Sequence, residues 1–90
     1  MNVRIFCLER GYILVADWEP DPDPQFIKLH KSAIVRVWGT TNGLGELATK
    51  GPIKEKTKLD KEPEGGRINK DKIIREVACI QKEWKTWMES

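Results

Sequence analysis

Three prolines two residues apart, in the run EPDPDP from Glu19 to Pro24, constrain this chain more than any other stretch. Each ring removes an amide donor and pushes the preceding residue into extended geometry, so neither a helix nor a strand interior can hold the run. Whatever element precedes it must finish there, and whatever follows must start afresh. The run is a stiff acidic turn between β-type segments. Asp17, Asp21 and Asp23 bring three carboxylates near it. The bend glycine and closing glutamate of an EF-hand loop are missing, however, and no metal site is expected.

Before the turn, VRIFCL and YILVADW are rich in β-branched and aromatic residues and are joined by ERG, which predicts a hairpin. Tyr12, Leu14, Ala16 and Trp18 alternate with Ile13, Val15 and Asp17. Neither set is cleanly polar, so this strand should be covered on both faces. After the turn FIKLHK alternates as a strand, a turn is expected around Lys31–Ser32, and AIVRVW forms the next strand. In this order of elements the chain resembles a small SH3-like or Sm-like β-barrel. The expected fold is mainly β: a small barrel with a long central loop and a short C-terminal helix, in one domain spanning residues 1–90.

The long loop is expected between Gly39 and Gly66, a glycine- and lysine-rich stretch with little periodicity. It opens with WGTTNGLGELATKGP and closes with KEKTKLDKEPEGG, and so long a loop in a compact domain is usually functional or disordered. Leu44, Leu47, Ile53 and Leu59 could pin it to the body as an Ω-like excursion. In the last third, Ile73, Ile74, Val77, Ile80, Trp84, Trp87 and Met88 fall within an arc of roughly 140° at helical spacing. Asn69 would be the N-cap of such a helix. Yet IIREVACI is rich in β-branched residues, and a small barrel needs a closing strand here. We expect a strand near residues 72–80 followed by a short helix carrying Trp84, Trp87 and Met88. The alternative is α+β, with one helix from about 70 to 88.

A 90-residue chain buries only about 60–65% of its unfolded surface. A Trp84–Trp87–Met88 patch is too apolar to remain in water on so small a domain, and packs either across the end of the barrel or against another subunit. In the second case these three are the interface of a homo-oligomer, which is the expected state. The net charge of +2 is unevenly spread: residues 1–45 carry five basic and five acidic side chains, residues 46–90 eleven and nine. Broad nucleic-acid binding relies on phosphate neutralisation and fits so small a net charge poorly. Cys7 and Cys79 lie in apolar runs and read as reduced, buried thiols. The single histidine, His30, has no partner in a recognisable nucleophile motif and reads as a surface strand residue. No catalytic residue and no cofactor is expected. No segment approaches the roughly 20 apolar residues of a membrane span, and a cytoplasmic protein without membrane contact is expected.

The run AIVRVWGTTNGLGELATKGP, followed by KTKLD, is similar to a group of short, uncharacterised phage and prophage proteins. The matching positions are Trp38, Gly39, Thr40, Thr41, Gly43, Leu44, Gly45, Gly51, Pro52, Lys54, Leu59 and Asp60. The resemblance covers about half the chain and implies a phage setting, hence host cytoplasm, with a specialised central loop. Backbone amides at glycines, helped by hydroxyls and cations, are what a phosphate group needs. The candidate ligand-binding residues are therefore Trp38, Thr40, Thr41, Asn42, Gly43, Gly45, Lys50 and Lys54. The alternative is plain turn chemistry, with a tight turn at Asn42–Gly43 and Leu44 and Leu47 packing inward. Neither GxxxxGK[ST] nor GxGxxG is present. The leading expectation is a non-enzymatic protein that sequesters a phosphorylated small molecule, such as a nucleotide signal of host immunity. The alternatives are a nucleic-acid-binding module, using the basic stretch and strand-end aromatics, and an adaptor or inhibitor that binds protein through the tryptophan patch.

Overall fold

A computed structural model describes all 90 residues. Strands β1 (Val3–Leu8), β2 (Ile13–Pro20) and β3 (Phe26–Val37) form an antiparallel meander. Helix α1 (Leu44–Lys50) and strands β4 (Lys58–Lys61) and β5 (Arg67–Asn69) follow, then β6 (Ile73–Ala78) and helix α2 (Gln81–Met88). The sheet order is β4-β3-β2-β1-β6, with β5 also on β3. Neither β4 nor β5 pairs with β6, so the expected small barrel is an open sheet. No helix is long and apolar enough to cross a membrane.

The hairpin forms as expected, closed by a bond from the Leu8 amide to the Tyr12 carbonyl at 2.7 Å. The proline run makes the β2–β3 turn. There Arg67 of β5 pairs with Asp21 at 3.2 Å and Asp23 at 3.6 Å, while Asp17 accepts from the Asn2 amide. These carboxylates are thus divided between two partners. Their geometry serves the turn.

No turn interrupts the chain at Lys31–Ser32; β3 runs through it as one strand. A bulge lies there instead. Ala16 pairs with Ser32 and Trp18 with Leu29, so His30 and Lys31 together face Asp17. The extra residue shifts side-chain parity. Ile27 and Leu29 join one apolar cluster with Phe6, Leu14, Ala16 and Ile68, while Ala33 and Val35 join another with Val3, Ile5 and Val15. A bulge therefore lets a single strand feed two cores.

Both faces of the sheet are buried, as the two-sided pattern of β2 requires. The cluster around Val3, Ile5 and Val15 is roofed by Leu44, Leu47 and Ala48 of α1 and by Trp84 and Met88 of α2. The cluster around Phe6 has no helix above it, yet Leu14 is only 5% and Leu29 only 6% exposed. The strands must wrap toward one another to achieve this. Bulges between Ala16 and Trp18 and between Cys7 and Leu8 supply the bend.

The C-terminal third is a strand and then a helix; the single helix over 70–88 does not form. Asn69 caps one 3-10 turn, Lys70–Lys72, through a 3.0 Å bond from the Asp71 amide. The β-branched run, which favours extended backbone, instead pairs with β1 as an edge strand, with Ile73 and Val77 half-buried and the residues between them exposed. The central stretch also differs from the expected loop, because α1 and β4 both lie inside residues 39–66.

Candidate functional site

Helix α1 explains most of the WGTTNGLG stretch. Gly43 is its N-cap, and Glu46 in its first turn reaches back over the loop. Glu46 accepts from the Thr41 amide at 3.0 Å and the Asn42 side-chain amide at 3.5 Å, and Lys50 lies 3.7 Å from it. The Thr40 hydroxyl donates to the Gly43 carbonyl at 2.8 Å. The chain's own carboxylate thus occupies donors that a phosphate would use, in the manner of a capping box. Trp38 is 39% exposed, its ring edge close to Gly43. Gly45 is helical, and a Cβ on it would meet nothing within 4 Å.

Of the eight candidate residues only Lys54 lines the largest concavity, a groove of about 550 Å³. The segment after Gly51 builds one wall. The Lys56 and Thr57 amides both donate to the Ile53 carbonyl, at 3.0 and 2.9 Å. The Thr57 hydroxyl accepts from the Ile53 amide at 2.8 Å and donates to the Trp38 carbonyl at 2.7 Å, tying this turn to the end of β3. Glu55 sits in the turn at φ 68°. The opposite wall is α2, through Glu83, Thr86 and Trp87.

Three cations converge on this groove: Lys54 from the turn, Lys58 from β4 and Arg36 from β3. Arg36 pairs with Asp60 at 3.1 Å. Lys54 and Lys58 take no part in the ion pairs of the chain. Trp87 supplies the aromatic surface, held edge-on against Trp84 at 6.3 Å with Lys31 Nζ 5.2 Å from its centroid. Lys31 is 7% exposed, and burial, followed by the neighbouring Lys61 charge, lowers its pKa below the ordinary lysine value. The Glu55 and Glu83 carboxylates line the groove as well. It is therefore the unpaired Lys54 and Lys58 ammonium groups, with the hydroxyls and the apolar ring, that can hold an anionic group beside a flat apolar one.

Two of the three expected interface residues are not on the surface. Trp84 is fully buried and Met88 9% exposed, because α2 folds back onto the helix-covered cluster and the Trp84 indole donates to the Ala48 carbonyl at 3.2 Å. Trp87 is half-buried and faces the groove. Cys79 is buried, which pushes its thiol up to about 12, and Cys7 is half-buried; both are free. His30 lies at the surface, 3.4 Å from Glu19. Sequence reasoning passed over Arg36, Thr57, Lys58 and Thr86, and assigned Trp87 to association. The lysine run Lys50–Lys61 was the available signal, since it supplies two of the three cations.

No protein-family model matches the chain, and no curated protein matches it.

Proposed function

We propose that this protein binds a small phosphorylated ligand, of mononucleotide size, in the groove between α2 and the Pro52–Leu59 segment, without turning it over. One observation carries the reading: Lys54, Lys58 and Arg36 open onto the same groove as the Trp87 ring. Two unpaired ammonium groups attract phosphate, and an indole face stacks on a base of any identity. The ligand site thus moves from the WGTTNGLG loop to its C-terminal neighbour. The shape of the site is set by Gly51 at the end of α1 and by the bond from the Thr57 hydroxyl to the Trp38 carbonyl at the start of the loop. In the phage setting that the sequence resemblance implies, such a protein would sequester a nucleotide signal of host immunity.

The test is calorimetry against linear and cyclic nucleotides, with a short oligonucleotide as a separate arm. Lys54→Ala with Lys58→Ala should weaken nucleotide binding at least about tenfold while leaving stability within about 0.5 kcal/mol, as surface changes do. Affinity should fall only modestly with salt, because few phosphates are engaged. A steep salt dependence with the oligonucleotide alone would transfer the groove to nucleic acid. Absence of any binding by the folded wild type would end the proposal.

A further inference from the structure

A second concavity, of about 380 Å³, lies on the opposite face of the sheet, against the helix-free cluster. Pro20, Ile27 and Ile73 make its apolar walls, and Arg4, Trp18, Lys70 and Glu76 its polar ones. Two wholly buried donors belong to these residues and have no partner in the chain: Arg4 Nε and Trp18 Nε1. Buried N–H groups are nearly always satisfied, so two orphans on adjacent residues of one pocket call for an acceptor that the chain does not supply.

The stereochemistry narrows that acceptor. Arg4 lies over the Trp18 ring, 4.9 Å from its centroid, and its Nη1 end is taken by Glu76 at 2.7 Å. The other edge of the guanidinium, Nε with Nη2, bonds to nothing in the chain. That edge is a two-pronged donor matched to the two oxygens of a carboxylate. The one acceptor side chain in the lining, Glu76, is already engaged, and Lys70 forms no ion pair, so the local charge favours an anion. We propose that Arg4, Trp18 and Lys70 form a binding site for a small aliphatic carboxylate. Its oxygens meet the guanidinium edge and the indole N–H, and its hydrocarbon body lies on Ile27 and Ile73. Both orphan nitrogens are covered in the present conformation, so entry requires the Arg4 side chain to shift.

The site is independent of the phosphate groove and is tested separately. Uniformly 15N-labelled protein is titrated with acetate, propionate and butyrate, with chloride and inorganic phosphate as the other anions. The Trp18 indole resonance, assigned by its loss in Trp18→Phe, and the Arg4 Nε resonance should move saturably with the carboxylates. Each added methylene should tighten binding about fourfold as it enters the apolar walls. Arg4→Lys keeps the charge and removes the fork, and should weaken butyrate at least about tenfold. Lys70→Gln, an exposed change that leaves the core untouched, should weaken it severalfold and covers the case in which Arg4→Lys does not fold. Resonances that stay still, that respond equally to chloride, or that respond better to phosphate would overturn the assignment.

Discussion

Gly51 closes α1 at φ 78°, and a Cβ there would collide with the Glu83 carbonyl oxygen. Gly39, at φ 73°, is equally confined, because a Cβ on it would stand 2.5 Å from the Lys56 carbonyl carbon. At both positions an L side chain meets rigid backbone in a conformation it already disfavours. Gly51→Ala and Gly39→Ala should each cost about 2 kcal/mol or more. Gly45→Ala, in a helix with open space around it, should instead gain about 0.5–1 kcal/mol. Urea unfolding of the three variants checks this, and a loss at Gly45 equal to that at Gly51 would show that something still unrecognised rests on Gly45. Lys31 poses a different problem, because burial and Lys61 disfavour its charge while Glu64 and the Ser90 main-chain oxygen favour it. Lys31→Met keeps the buried stem without the charge and should melt at or above the wild type. Since the lysine pKa is lowered in the fold, the unfolded chain binds more protons just below pH 10.5, and wild-type stability rises with pH there. The advantage of methionine should therefore shrink as pH rises through that window, and one that stays constant would mean the ammonium is not penalised.

Among the elements, α2 is fastened to the start of β1 by one side chain. Gln81 accepts from the Val3 amide at 2.7 Å and donates to the Val3 carbonyl at 3.0 Å and the Cys79 carbonyl at 2.9 Å. It gives Val3 the pair of bonds a neighbouring strand would give, just beyond the end of β6. Gln81→Ala leaves partly buried main-chain groups unpaired and should cost about 1–3 kcal/mol. The Val3 amide should lose hydrogen-exchange protection first, and unchanged protection there would refute the clasp. The strand-then-helix reading of this segment was legible because β-branched residues and the tryptophan spacing occupy different halves of it. The two-sided β2 was legible from alternation. The continuity of β3 was not, since Lys31–Ser32 looks like a turn, and only the register against Asp17 reveals a bulge. Helix α1 was hidden by Gly43 and Gly45, whose low helix propensity is offset by burial of Leu44, Leu47 and Ala48. The groove was the least legible feature, because Arg36, Lys54, Lys58 and Trp87 lie on four separate elements or turns and meet only when α2 folds back.

At the scale of the whole molecule, burial of the Trp84–Met88 side of α2 removes the reason for expecting association through it. The Cα radius of gyration of 12.3 Å matches the roughly 12 Å of a compact chain this long. The more telling feature is that two apolar clusters on opposite faces share the same strands. Val15 points into one and its neighbours Leu14 and Ala16 into the other, while β3 changes from one to the other at its bulge. Neither cluster can lose its strands without exposing the second, so the domain should unfold in a single transition. Leu29→Ala damages only the helix-free cluster and should cost about 2–5 kcal/mol. Fluorine-labelled tryptophan gives a separate signal for each side, Trp18 packing on the helix-free cluster and Trp84 within the helix-covered one. In urea both signals should move to the same lower midpoint in Leu29→Ala, although Trp84 lies on the other face of the sheet. A variant in which the Trp18 signal melts early while Trp84 keeps the wild-type midpoint would show two separable cores, with the bulge in β3 as the joint between them.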